Sequence, residues 1–306
     1  MLARAPASAA NLGPGFDTLA VALDCYVEVE VERARRLVVR SEGEGAGLSD
    51  DAGHLAARVA IDVVGDDRLA ITVRSQIPVA RGLGSSAALA AAAAAAAGAA
   101  DPLAVAARTD GHPENAAASV VGGLVVATMV HGVVRTVRLA LDPSLVFVLV
   151  VPDRSLSTTR ARQALPGSVS REAATFNLGR MGLLVAGLAD HRLLAPEATE
   201  DRLHQDYRSP LFPEAPTLLA GLVEGGALAS CWSGAGPSLV GICSEHQAAQ
   251  VHRSAMDALG ATGVHGQVVV LRADRSGLVV GEGARLPGPA ELAPRRGAVE
   301  LADPTA

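Results

Sequence analysis

Residues 26–32 read YVEVEVE, a strict alternation that predicts a strand with Val27, Val29 and Val31 toward a core and Glu28, Glu30 and Glu32 toward water. Residues 37–40 read as its return strand in a hairpin. Helical spacing of Leu55, Val59 and Val63 follows within residues 51–64, then a short strand over 69–74 (LAITVR). The alanine run 87–97 predicts a helix on propensity, and Asp101-Pro102 is the cap and first-turn signal of another that reaches about Thr109. Leu124–Val130 and Val133–Leu139 read as a hairpin through His131-Gly132. Residues 145–151 (LVFVLVV) are continuously apolar over a strand length, which predicts a buried central strand opening the second half of the chain. Beyond it come a long amphipathic helix over 172–189, a strand–turn–strand over 228–243, a helix over 245–259, and strands over Gly266–Arg272 and 277–281. This mixture predicts an α/β chain, and the Pro-, Gly- and charge-rich tail from Pro287 is expected to be disordered.

Between these elements lie polar, glycine-rich stretches. In residues 78–97, PVARGLGSSAALAAAAAAAA, two glycines open a helix; they permit positive φ and close approach of the backbone, and the first helical N–H groups lack intrahelical partners. Such a turn either receives an anion or is a structural helix capped by Ser85 or Ser86. Residues 5–17 (APASAANLGPGFD) read as a loop in which Asn11, Asp17, Gly13 and Gly15 either face a ligand or form an Asx-type turn. In 110–123, His112 and Asn115 lie three apart around Pro113, so both can face the same way at a helix start. Thr158 and Arg162 stand at i,i+4 positions, again at a helix start. The run EDRLHQDYRSPL is dense in charge; it reads as a solvated helix face, or as one that points Arg208 into a cleft. The small-residue turn 233–237 between two strands lets another backbone or a ligand come close.

Composition narrows the chemistry. At 306 residues with 49% hydrophobic and 19% charged content, the chain is globular and long enough for two domains. A net charge of −6 gives no footprint for nucleic acid, the longest apolar run is too short and too alanine-rich for a membrane span, and no signal peptide is visible. Three widely spaced cysteines fit neither a disulfide framework nor a CxxC site, so a cytoplasmic location is expected. The eight histidines show no HExxH spacing. All 26 basic residues are arginine. Without lysine, a Walker A phosphate lysine, a protein-kinase strand lysine and a pyridoxal Schiff base are all excluded, and a nucleotide site must use backbone amides, arginine and metal.

Three separated motifs, ANLGPGFD, PVARGLGSSAA and SGAGPS, together resemble the GHMP small-molecule kinases, the superfamily of galactokinase, mevalonate kinase and homoserine kinase. The forms ANLGPGFD, GHPEN, LSTTRAR and DRLHQDYRSPL are most similar to the homoserine kinases, over nearly the whole chain to about Arg285. The resemblance implies two domains. Residues 1–150 would bind ATP in a ribosomal-protein-S5-like domain with a mixed sheet and a left-handed βαβ crossover; residues 151–286 would form a ferredoxin-like domain, with the tail 287–306 beyond. It further implies a homodimer and phosphorylation of L-homoserine on its side-chain hydroxyl by ATP and Mg²⁺. Pro78, Arg81, Gly82, Leu83, Gly84, Ser85 and Ser86 would then cradle ATP. Asn11, Asp17, His112, Asn115, Thr158, Arg162, Arg208 and Gly234 would surround the amino acid, with Arg162 and Arg208 on its carboxylate and Asp17 on its ammonium group. Asn115 and His112 would orient the hydroxyl, and Ser86 and Asp110 would hold the metal. The chain departs from the family pattern at HPEN in place of HPDN, at Asp110 where glutamate is usual, at Ser238 where threonine is more frequent, and in the apparent lack of an initial strand before the first motif. A paralogue acting on another hydroxylated molecule and a non-catalytic nucleotide sensor on the same fold are the alternatives.

Overall fold

The computed structural model describes residues 1–281 and 284–286; the expected disordered tail lies outside the described residues. The first half runs β1 (Leu2–Asn11), β2 (Gly15–Arg33), β3 (Val38–Gly43), α1 (Leu55–Val64), β4 (Leu69–Ser75), α2 (Ser85–Ala97), α3 (Pro102–Asp110), α4 (Pro113–Val121), β5 (Leu124–Val130) and β6 (Val133–Leu139). The second runs β7 (Leu145–Pro152), α5 (Thr158–Gln163), α6 (Arg171–Ala189), α7 (Gln205–Arg208), α8 (Ala215–Glu224), β8 (Ala229–Trp232), β9 (Leu239–Ser244), α9 (Ala248–Thr262), β10 (Gly266–Arg272) and β11 (Val279–Val280).

The segment expected as a loop over residues 5–17 is mostly strand: β1 is a full initial strand, and only a tight turn separates it from β2. Its signal is weak because the core-facing positions are alanines, with little hydrophobic contrast, and Pro6 interrupts them. Ala3, Ala5, Ala7 and Ala9 pack into the main core, while Ala10 joins a second cluster with Ala20 and Ala22. Pro6 sits where the β1–β2 register shifts, the kind of place a strand tolerates proline. Against β1 and β2 packs α2, in which every residue from Ala87 to Ala96 is buried. A helix enclosed on all sides needs no amphipathic stripe, and small side chains let its backbone approach the sheet.

The hairpin expected between residues 26–32 and 37–40 does not form. β2 pairs antiparallel with β4, and β3 pairs parallel with β4 on its far side, so the chain crosses over through α1 before returning. Nor do all three glutamates of β2 face water. Glu28 is buried, where it takes the Arg74 guanidinium and the Leu286 amide. The hairpin β5–β6 forms as expected and extends this sheet from the first half of β2.

The second sheet runs β10-β7-β9-β8, every pair antiparallel. With α8 and α9 as the crossing helices, this is the 4-1-3-2 order of a ferredoxin-like fold. β7 is buried on both faces, as its unbroken apolar run requires: Leu145, Phe147, Leu149 and Val151 enter the core shared with the first sheet, while Val146, Val148 and Val150 pack with α8 and α9. Each such side chain contributes about 2 kcal/mol of burial. The strand near residue 280 returns to the first sheet and pairs with β1. Helix α6 is not the amphipathic helix expected, because Asn177 is buried and Leu178 is 75% exposed.

Candidate active site

A cleft of about 120 Å³ lies where the two sheets meet. Asn11, Asp17, Arg81, Gly82, Leu83, Gly84, Ser85, Ser86, Asp110, His112, Asn115, Thr158, Arg162, Arg208 and Gly234 all line it. Of the residues expected there, only Pro78 does not.

At one end, α2 begins on Gly84, whose φ is 64° and which makes no side-chain cap bond. The serines therefore do not cap the helix; both lie inside its first turn. The first intrahelical bond is Ala88 N–H to Gly84 O at 2.9 Å, leaving the amides of Ser85, Ser86 and Ala87 without an intrahelical acceptor. The glycines owe their freedom to protein contacts as well as to any ligand. A Cβ on Gly84 would stand 2.0 Å from Ser8 Oγ, and one on Gly82 would stand 2.3 Å from Ser233 O. The backbone that approaches the turn 233–237 is thus the glycine loop itself. Ser233 Oγ donates to Gly82 O at 2.8 Å, Ser238 N–H to Arg81 O at 3.2 Å, and Gly234 N–H to Ala10 O at 2.9 Å. Asn11 Nδ2 donates to Gly234 O at 2.9 Å, so the three motifs are stitched into one unit.

The other end is made of long side chains. Asn11, Leu12 and Asp17 take positive φ of 71°, 48° and 52° around Gly13, and Asn11 Oδ1 accepts the Asp17 amide at 3.0 Å. Three left-handed residues that are not glycine mark a turn held against its own preference. Asp17 and Arg162 do not face a ligand independently: they form a two-pronged pair at 2.8 and 2.9 Å. Arg162 Nη2 also reaches His112 Nε2 at 3.1 Å. His112 Nδ1 donates to Asp110 O at 3.0 Å, and the nearby Asp110 carboxylate raises the imidazole pKa.

The charged run 200–211 is not a solvated face: Asp201, His204 and Arg208 are buried. Asp201 accepts from Asn177 Nδ2 and from the amides of Leu203, His204 and Gln205 at 2.7–2.9 Å. His204 Nε2 faces Gly13 O at 2.8 Å and must donate to it, so Nδ1 accepts from Arg208 Nη1 at 3.0 Å. Burial holds the imidazole pKa down, to about 4. Burial also lowers the Arg208 guanidinium, to about 10, which leaves it charged at neutral pH. Arg208 Nη1 donates again to Gly234 O at 3.0 Å. Phe16 backs the group: His204 stacks on it at 5.1 Å, and the Arg162 and Arg208 guanidiniums lie 5.7 and 5.5 Å from its centroid.

Between the two ends sits Asn115. Its Oδ1 accepts from Ser8 Oγ at 2.8 Å and its Nδ2 donates to Glu114 Oε1 at 3.0 Å. Glu114 is buried, its Oε2 has no partner, and desolvation raises its carboxyl pKa to about 7.

Two family models match, "GHMP kinases N terminal domain" over residues 52–123 and "GHMP kinases C terminal" over residues 184–261. The homoserine kinase of Desulfitobacterium hafniense is 35% identical over 292 residues, covering 90% of this chain and 98% of that one. The homoserine kinase of Moorella thermoacetica is 38% identical over 261 residues, covering 80% and 88%. The chain belongs to the homoserine kinase family. A crystal structure of homoserine kinase from Cytophaga hutchinsonii superposes with a TM-score of 0.80 at 25% identity, covering 91% of this chain and 96% of that one.

Within this homoserine kinase family member, sequence reasoning missed Phe16, Glu114 and His204 as parts of the site. Phe16 and His204 sit inside quoted motifs, yet nothing in their spacing marks them. Glu114 stands out in the sequence only as a departure from the family pattern, and its weight comes from burial, which composition does not report.

Proposed function

We propose that the protein transfers the γ-phosphate of ATP to the side-chain hydroxyl of L-homoserine, forming O-phospho-L-homoserine. The observation that carries this reading is likeness to homoserine kinases over nearly the whole length of both chains, joined to a cleft with a free helix N-terminus at one end and two arginines at the other. In this reading the amides opening α2 and the Gly82–Gly84 turn receive the triphosphate, with Arg81 alongside. Arg208 and Arg162 take the substrate carboxylate, which suits a guanidinium fork. Because Arg162 is engaged with Asp17, substrate binding replaces that pair: the carboxylate takes Arg162, and the released Asp17 takes the ammonium group. Thr158 and Gly234 complete the acceptor end. Asn115, with His112 beside it, holds the hydroxyl toward the γ-phosphate, and positioning of this kind is the main demand of phosphoryl transfer.

The donor set fits Mg²⁺, which prefers hard oxygen ligands: the Ser86 hydroxyl at the start of α2 and the Asp110 carboxylate at the end of α3 both line the cleft and would hold it. When bound, Mg²⁺ neutralises charge on the phosphates. Among the described residues no helix is long and apolar enough to cross a membrane. We place the enzyme in the cytoplasm as a homodimer, the latter to be checked by light scattering. The test of function is ADP release with ATP, Mg²⁺ and L-homoserine, with the product identified by phosphorus NMR. A phosphomonoester on the side-chain oxygen is expected; tight ATP binding without turnover would favour the nucleotide-sensor reading.

A further inference from the structure

We propose that Ser8 is a positioning residue that ties the acceptor end of the cleft to the phosphate end: its hydroxyl holds the Asn115 amide while its backbone holds the glycine turn. This rests on the readings that Asn115 orients the acceptor hydroxyl and that the Gly82–Gly84 turn receives the triphosphate.

Among the described residues, β11 pairs with the outer edge of β1 only at Ala3 and Arg4. Further along that edge, the groups a neighbouring strand would take are taken by the site. Pro6 O accepts from Ser119 Oγ on α4 at 2.9 Å, Ser8 N–H donates to Leu83 O at 3.1 Å, and Ala10 O accepts from Gly234 N–H at 2.9 Å. Alternate residues of a strand point their backbone groups to the same side, so these three contacts are spaced about 6.8 Å apart along one extended segment. β1 thereby fixes α4, the glycine turn and the turn 233–237 relative to one another.

Ser8 stands in the middle of the three and adds a side-chain bond. It is fully buried, and its Oγ donates to Asn115 Oδ1 at 2.8 Å. Glu114 Oε1 accepts from Asn115 Nδ2 at 3.0 Å, which fixes the end of the amide that Ser8 meets as the oxygen. An amide has two N–H donors and an oxygen with two lone pairs, so one donor and one acceptor remain for the substrate. Gly84 rests against this same bond: a Cβ there would stand 2.0 Å from Ser8 Oγ and 3.0 Å from Asn115 Oδ1. The residue that opens α2 and the amide that meets the acceptor therefore touch through one hydroxyl. The fold itself makes little demand for that hydroxyl, since Ala5, Ala7, Ala9 and Ala10 are all buried in the same strand.

Phosphoryl transfer requires the acceptor oxygen in line with the γ-phosphate, and small displacements are costly. Without the Ser8 hydroxyl, Asn115 Oδ1 loses its donor and the amide can turn about its last bond, while the amides of α2 still hold ATP and the arginines still hold the carboxylate. The loss accordingly falls on kcat.

The experiment is steady-state kinetics of the native enzyme, Ser8→Ala, Ser8→Cys, Asn115→Leu and the double variant Ser8→Ala/Asn115→Leu, with thermal unfolding of each. Ser8→Ala should lower kcat about tenfold and leave both KM values within about threefold of native; a role in stability alone would move the unfolding midpoint and spare kcat. Ser8→Cys, which keeps a weak donor, should lose about threefold. In the Asn115→Leu background the tenfold factor of Ser8→Ala should shrink to about twofold or less, because the amide it positions is gone. Native kcat in both Ser8 variants, a loss that appears in the KM for ATP instead, or a tenfold factor that persists without Asn115 overturns the proposal. Asn115→Leu separates the two layers: if it keeps native turnover the reading of Asn115 fails, and if it loses turnover while the Ser8 variants behave as native, only the assignment of Ser8 fails.

Discussion

The two ends of the cleft are built from different materials. The phosphate end is backbone: positive-φ glycines, the amides opening α2, and hydrogen bonds that tie residues 81–83 to the turn 233–237 and to β1. The acceptor end is side chain: Asp17, His112, Arg162, His204 and Arg208 come from separate segments and hold one another. Backbone sites fail by steric exclusion, so one added carbon at the phosphate end should disturb fold and ligand together. Side-chain sites fail by degrees, so changes at the acceptor end should separate substrate affinity from turnover.

Asn115→Leu, at the junction, should show the largest effect, a loss of kcat of about 100-fold or more with ATP affinity nearly unchanged, measured by steady-state kinetics and nucleotide titration. Gly84→Val comes next. A Cβ there meets Ser8 Oγ at 2.0 Å and the backbone φ is 64°, so ATP binding should be lost along with about 2–4 kcal/mol of stability, read by calorimetry and denaturant unfolding. A stable Gly84→Val protein would show that this turn serves the ligand alone.

At the acceptor end, His204→Ala removes the group that fixes Arg208. The KM for homoserine should rise about tenfold while kcat and the KM for ATP change little, and in an Arg208→Met background the same replacement should add almost nothing. The smallest effect concerns stability. Burial raises the Glu114 carboxyl pKa from its ordinary 4.5 to about 7, so the native state binds the extra proton between these values and loses stability as pH rises through that window. Glu114→Gln should therefore raise the midpoint of thermal unfolding at about pH 8, by the equivalent of about 1–3 kcal/mol, and leave it nearly unchanged at about pH 4.

The same division governs what the sequence reveals. The phosphate end is legible because glycine and a helix start are local features, and β7, α2 and the β5–β6 hairpin are legible because one dominant pattern covers each. β1 is not, since the residues that alternate with Arg4, Pro6 and Ser8 are alanines, whose small side chains give weak hydrophobic contrast, and Pro6 reads as a turn. The β3–β4 pairing is not, since sequence adjacency favours a hairpin and only the crossover through α1 sets the partner. Glu28, Glu114, Asp201 and His204 read as surface residues by type, and tertiary burial alone gives them their partners. The Asp17–Arg162 pair is invisible for the same reason, because 145 residues separate its members.

The most direct test of this account is the ratio of kcat/KM for L-homoserine to that for its carboxamide, in the native enzyme and in Arg208→Met. The account predicts a native ratio of about 1,000 or more that falls at least about tenfold in Arg208→Met, where Arg162 alone still meets the carboxylate, with the KM for ATP unchanged in both. Equal use of the two substrates by the native enzyme, or a ratio untouched by Arg208→Met, would contradict it.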